Sequence, residues 1–210
     1  MEMNTQKGVT LYELLITLVV IGIVLSLGVP NMVEFRQNSR MTATANDLIA
    51  AFQLARTESA RAKANITICA SSAPMGSSAD CDGTWDQGYI VFVDDGAGNS
   101  ANDGNISVDT DEVIIRRHEA AQPGVELAVA GDATFFAFGP TGQGRGDVDG
   151  NTALSQIVVC DKRGNVTAAG GSSASRLFVT TPLGRATIVR EKSTISSALT
   201  TMSKSCPAGT

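Results

Sequence analysis

The sequence predicts an α+β protein: one long N-terminal α-helix, transmembrane and then amphipathic, packed on a C-terminal antiparallel β domain of two small sheets. Three observations carry this expectation. No charge occurs from Leu14 to Val29. Beyond it, Met41, Ala45, Leu48, Phe52 and Ala55 recur at alternating spacings of four and three, one apolar stripe of a helix. After Asn65 the text breaks into short runs rich in β-branched and aromatic residues, separated by Gly, Pro, Asn, Asp or Ser.

The elements follow in chain order. Residues 1–8, MEMNTQKG, form a short polar head. From Val9 to Val29 a helix rises about 31 Å, close to the hydrocarbon thickness of a bilayer, and no A-x-A site follows it, so the segment reads as a single-pass anchor rather than a removed secretory signal. Gly22, Gly28 and Pro30 are poor helix residues, and Pro30 lacks a backbone donor, so a bend or local melting is expected between Gly22 and Pro30. Glu13 is the anomaly, because a charge deep in a bilayer costs about 2.5–3.5 kcal/mol on insertion scales. The helix is expected to run on to Ala64, its stripe facing a sheet. The strands expected after it are 66–69, 89–93, 113–117, 125–129, 134–138, 156–160, 176–181 and 186–189, in two antiparallel sheets, one of them covered by the helix.

Composition narrows the function classes. A net charge of −5 disfavours broad affinity for nucleic acid, which Lys and Arg must drive. The four cysteines fit no metal-ligand spacing. An even count beside an export-like segment favours two disulfides in an oxidising compartment. Of three possible pairings we expect Cys69–Cys81, closing a polar Gly/Ser loop, and Cys160–Cys206, pinning the C-terminal tail. In the chain-entropy model such loops contribute about 3 and 4 kcal/mol. The oxygen-rich stretch from Asp94 to Glu112 misses the EF-hand register, so it reads as a solvated loop and no metal is expected. The lone His118, beside Arg116, Arg117 and Glu119, reads as a surface ion pair, and no nucleophile motif is present. The glycines of 139–146 lack the Gly-Lys-Ser/Thr ending of a phosphate loop. Neither an enzyme nor a cofactor is expected.

Lys7-Gly8 followed by Val9-Thr10-Leu11-Tyr12-Glu13-Leu14-Leu15 resembles the processing signal of type IV pilins and type II secretion pseudopilins, with Val9 in place of Phe and Tyr12 in place of Ile. The resemblance implies that a prepilin peptidase cuts between Gly8 and Val9 and methylates Val9. It implies that Glu13 pairs with the N-terminal amine of a neighbouring subunit, and that Gly22 and Pro30 loosen the helix in a filament. The domains would then be a leader, 1–8; a transmembrane and assembly helix, 9–30; its amphipathic continuation, 31–64; and a globular β domain, 65–210.

Further on, MTATANDLIAAFQLARTESARAKANITIC, GTWDQGYIVFVDDG, IIRRHE, FFAFGPTGQGRG and CDKRGNV…SRLFVTTPLGRATI resemble the H-type pseudopilin and FimU/FimT minor pilin family. This implies a minor pilin that joins other minor pilins and a major pilin in a tip or priming complex. It would be anchored in a bacterial inner membrane with a periplasmic domain, and enter an extracellular pilus or a periplasmic pseudopilus. An H-type pseudopilin of type II secretion is the alternative. Weak DNA binding is a third reading, because some FimT-like relatives use a Gly-Arg-x-Arg motif. Here Gly184-Arg185 matches but the second Arg is missing, leaving Arg176, Arg185, Arg190 and Lys192 as candidates.

Overall fold

The computed structural model describes residues 8–94, 107–109, 112–148, 150–168 and 170–206. They fall into two compact units, one up to Ser39 and one from Arg40 onward. Helix α1, Leu11–Ala62, belongs to both.

In the first unit α1 is unbroken through Gly22, Gly28 and position 30, so the local melting expected there is corrected. The physical reason is the cost of opening backbone. Proline removes one rung at about 3 kcal/mol, whereas every further carbonyl or N–H left open in an apolar medium costs several kcal/mol more. Thr17 and Ser26 turn their hydroxyls onto the carbonyls of Leu14 and Ile23, both at 2.8 Å, so the polar side chains of the run are satisfied within the helix.

The second unit is built on two four-stranded antiparallel sheets. The first holds β1 (Ile66–Ala70), β2 (Tyr89–Val93), β3 (Ile114–His118) and β5 (Phe135–Phe138), in the order β3-β2-β1-β5. The second holds β4 (Val125–Val129), β6 (Gln156–Asp161), β7 (Arg176–Thr180) and β8 (Ala186–Val189), in the order β4-β6-β7-β8. Alternation assigns the faces. Ile66, Ile68, Val91, Phe136 and Phe138 of the first sheet share one core with Ile157, Val159 and Phe178 of the second and with Met41, Leu48, Phe52 and Ala55 of α1. The stripe read from the sequence is thus the buried face, but it covers both sheets rather than one. Phe52 sits at the junction, with ring centroids 5.2 Å from Phe136 and 4.8 Å from Phe178.

Both sheets are also covered on their outer faces, which is why β1 is buried at every position. On the first sheet, Cys69, Ile90, Phe92, Phe135 and Ala137 lie under loop residues that include Ala79 and Cys81. On the second, Val158, Cys160 and Leu177 lie under Ile195 and Ala198 of a helix absent from the sequence reading, α2 (Lys192–Met202). Each disulfide fastens one cover: Cys69–Cys81 the loop, Cys160–Cys206 the chain just after α2. Both expected pairings are formed.

Gly184, at φ +79°, makes the β7–β8 turn, and a Cβ there would collide with the Phe138 ring. Only glycine satisfies both the left-handed backbone and the close approach. Strand bounds differ from expectation by about one residue; β3 runs to His118 rather than Arg117.

Candidate functional site

Of the residues expected to act in processing and assembly, Gly8, Val9 and Glu13 lie at the start of α1, and Gly22 and Pro30 lie farther along it. Residues 1–7 of the expected leader lie outside the described residues; Gly8 and Val9 precede the helix and are exposed. Thr10 and Glu13 close a reciprocal cap. Glu13 Oε2 accepts from the Thr10 backbone N–H and from Thr10 Oγ1, both at 2.9 Å, and the Glu13 N–H donates to Thr10 Oγ1 at 3.3 Å. The Thr10 carbonyl then accepts the first helical bond, from Leu14 N–H, at 3.1 Å. This is a capping box, which satisfies two helix-end donors with one Thr–Glu pair.

The cap adds to the sequence reading: half of the acceptor capacity of Glu13 is used within its own first turn. The Thr-x-x-Glu spacing was the signal for this, and it stands in the sequence. Oε1 accepts no hydrogen bond among the described residues, so one carboxylate oxygen remains for an outside donor. From Leu11 to Phe35 the large apolar side chains are exposed, and open space surrounds the Cα of Gly22 and Gly28, room for another helix to approach closely.

The candidate basic residues do not form one site. Arg176 is 3% exposed. Its Nη1 donates to the carbonyls of Ser173, Ala174 and Ser175 at 2.9, 2.8 and 3.1 Å. Burial, reinforced by Arg190 and Arg163, pulls this guanidinium down to about 10, with Asp161 opposing. It is a structural residue and is withdrawn as a nucleic-acid contact. Arg185 and Arg190 flank opposite ends of β8. Arg185 lines a 170 Å³ cleft with Gln53 and Arg56 of α1. Arg190 and Lys192 instead lie beside Ser173 and Asn165, whose bonds to their backbone carbonyls measure 2.9 and 3.2 Å.

Most of the oxygen-rich stretch, residues 95–106 and 110–111, lies outside the described residues, so the solvated-loop expectation falls there. Asp94 is occupied internally: its Oδ2 accepts from Thr67 Oγ1 at 2.8 Å and from Arg145 Nη1 at 3.1 Å. His118 meets a carboxylate, as expected of an ion pair, but one distant in sequence. Its ring stacks on Tyr89 at 4.5 Å, and Nε2 stands 3.3 Å from Asp47 Oδ2 on α1. Tyr89 in turn donates its hydroxyl to the Asp47 carbonyl at 3.1 Å. Desolvation first, and the Asp47 charge second, push the Tyr89 phenol up, so it stays a donor. The histidine is a tie between sheet and helix, which no neighbouring residue in the sequence could indicate.

With this geometry in hand, two family models match the chain. One described as type II transport protein GspH matches residues 44–184, and one described as prokaryotic N-terminal methylation motif matches residues 3–29. Two crystal structures of the Pseudomonas aeruginosa (strain PAO1) type IV minor pilin FimU are similar at 17% identity. The form in space group P21 covers 76% of this chain and 94% of its own, with a TM-score of 0.46. The P65 form covers 72% and 94%, with a TM-score of 0.43. No curated protein matches the chain.

Proposed function

The chain belongs to the GspH family, and on that premise we propose that it is a non-enzymatic minor pilin of a type IV pilus, working with other minor pilins in the complex that starts filament assembly. One observation carries the reading. Immediately after Gly8, a helix capped by its own Thr10–Glu13 pair presents one free carboxylate oxygen and a long run of exposed large apolar side chains. Cleavage between Gly8 and Val9 would leave a cationic amine beside that cap, since Thr10 and Glu13 both stay on the mature side. The amine of a neighbouring protomer is then the donor that Oε1 lacks. A charge-assisted bond of this kind, formed in a medium of low dielectric, draws subunits out of lateral diffusion and into a filament. The anchor would lie in the inner membrane with the globular unit in the periplasm, and a separate motor would supply the work.

The second reading is an H-type pseudopilin of type II secretion, favoured by the family model's own description. DNA binding is not part of the proposal, because Arg176 is buried and Arg185 stands apart from Arg190.

The test is made in cells with the peptidase present. Mass spectrometry of the mature chain is expected to find N-methylated Val9, and Glu13→Ala should leave membrane insertion intact while lowering filament number about ten-fold or more. A chain that still begins at Met1, or normal filaments from the Glu13→Ala strain, overturns the proposal. Loss of secretion with normal pili on deletion selects the pseudopilin reading.

A further inference from the structure

We propose that the open edge of β4 is a docking groove for an extended segment of another protein, which adds as a strand and brings a lysine or arginine to Asp86 and Glu126. The edge has unused backbone groups. Val125 stands opposite Asp161 of β6, yet its N–H turns away to the Gln122 carbonyl, at 3.0 Å. Bonded and non-bonded pairs alternate along an antiparallel ladder, so Glu126 and Ala128 bond β6 while Leu127 and Val129 face the other side. The rest of the sheet agrees. Thr180 N–H donates to the Ser155 carbonyl at 2.8 Å, which directs Ile157 and Val159 to β7 and leaves Val158 and Cys160 for β4. No strand lies beyond β4, and no partner reaches the Leu127 N–H and carbonyl or the Val129 N–H from that side among the described residues. The outer edge of β5, by contrast, is covered: its Phe135 and Ala137 carbonyls accept from Leu154 and Arg145 N–H at 2.8 and 2.9 Å.

This edge is one wall of a cleft of about 320 Å³. Trp85, Asp86 and Ala133 line the cleft as well. The indole of Trp85 is held in place by its N–H, which donates to the Ala133 carbonyl at 2.8 Å. Leu127 and Val129 pack toward the core that holds Trp85, whereas Glu126 shares the outer face with Cys160. A fixed apolar wall beside unpaired backbone is what an added strand uses: main-chain bonds give affinity and alternate side chains give specificity.

Charge selects the occupant. Three acids, Asp86, Glu126 and Asp132, line the cleft. Lys204 Nζ holds Asp132 at 2.7 Å, so the chain already places one ammonium there. Asp86 and Glu126 are exposed and have no cationic partner among the described residues. A strand carrying acids is repelled from this mouth, and one carrying lysine or arginine is drawn to it. Alternation then fixes the pattern of the guest: apolar side chains on the face of Leu127 and Val129, basic ones on the face of Glu126. Every residue of the groove belongs to the second unit, so the inference does not depend on reading α1 as an anchor.

Trp85 is the sole tryptophan, so its fluorescence reports on the cleft in the full chain held in a non-ionic detergent. A capped seven-residue peptide of alternating valine and lysine is expected to bind saturably and to slow amide exchange across residues 125–129 about ten-fold or more. The same peptide N-methylated along one edge keeps its charge but loses its backbone donors, and should bind about ten-fold more weakly or worse. Glu126→Lys should weaken the unmodified peptide about ten-fold, whereas Glu119→Lys, at an exposed acid outside the cleft, should not. Absence of binding overturns the proposal. Equal binding of the methylated peptide overturns it by showing charge attraction without strand pairing, and so does an equal loss with Glu119→Lys. Protection of residues 125–129 before any peptide is added overturns it too. If that protection grows with protein concentration a second copy holds the edge, and if it does not the chain covers its own edge.

Discussion

Phe52 shows how one side chain can determine whether two sheets and a helix form a single core. Its ring meets Phe136 and Phe138 of the first sheet and Phe178 of the second, so truncation removes contacts on three elements at once and the site cannot collapse from one side alone. Phe52→Ala is expected to cost about 3–5 kcal/mol, lowering Tm by roughly 10 °C in a chain of this size; a fall of only a degree or two in a thermal scan would show that the junction is soft. Arg176 makes the opposite point, that a buried charge can be a structural fixture. Arg176→Met keeps the aliphatic volume but strips donors from three carbonyls, and should destabilise by about 2–4 kcal/mol. Its exposed neighbour changed in the same way, Arg190→Met, should stay within about 0.5 kcal/mol. Comparing the two separates a role in holding the 173–175 backbone from a generic loss of positive charge.

At the scale of elements, each sheet has a cover and each cover has its own disulfide. The loop carrying Cys81 lies on the first sheet and α2 lies on the second. The chain-entropy model makes the longer closure the more stabilising, with sequence separations of 46 for Cys160–Cys206 and 12 for Cys69–Cys81. Replacing Cys160 and Cys206 together by Ser should therefore cost about 4 kcal/mol, against about 3 for Cys69 with Cys81. It should also raise amide exchange selectively across 192–202, since α2 is then held down only by non-covalent contacts, among them the packing of Ile195 and Ala198 and the Asn165 bonds to Lys192 and Ser196. Uniform loosening of both sheets would contradict this division. These elements were not equally legible. The α1 stripe could be read because large apolar residues recur at helical spacing. The cysteine pairs could be read because one closes a local loop and the other ties the tail. Helix α2 escaped because KSTISSALTTM is rich in Ser and Thr, which compete with helical backbone bonds. The only signal was the spacing of Ile195, Ala198, Leu199 and Met202. The burial of Arg176 and the Asp47–His118 contact depend on which strand lies beside which, and that is set by tertiary pairing rather than by any local pattern.

At the scale of the whole chain, the two units differ in the surface they expose. Before Ser39 the large apolar side chains of α1 are exposed along the helix, from Leu11 at 78% to Phe35 at 70%. A contiguous apolar surface of that extent does not persist in water. From Arg40 on, the core residues of α1 and of both sheets are all contained in one unit, with both disulfides. Nothing in that core comes from the first unit, so the second should fold without it. A chain beginning at residue 36 is expected to be soluble without detergent and monomeric by light scattering. It should melt in one cooperative transition with both disulfides formed, while the full chain requires detergent or lipid. The truncated chain keeps Phe52, so Phe52→Ala should lower its Tm by the same amount as in the full chain. Aggregation of the truncated chain, or a Phe52→Ala effect present in only one of the two, would mean that the apolar half of α1 contributes to the fold as well as to anchoring. The division of labour along this helix would then be wrong.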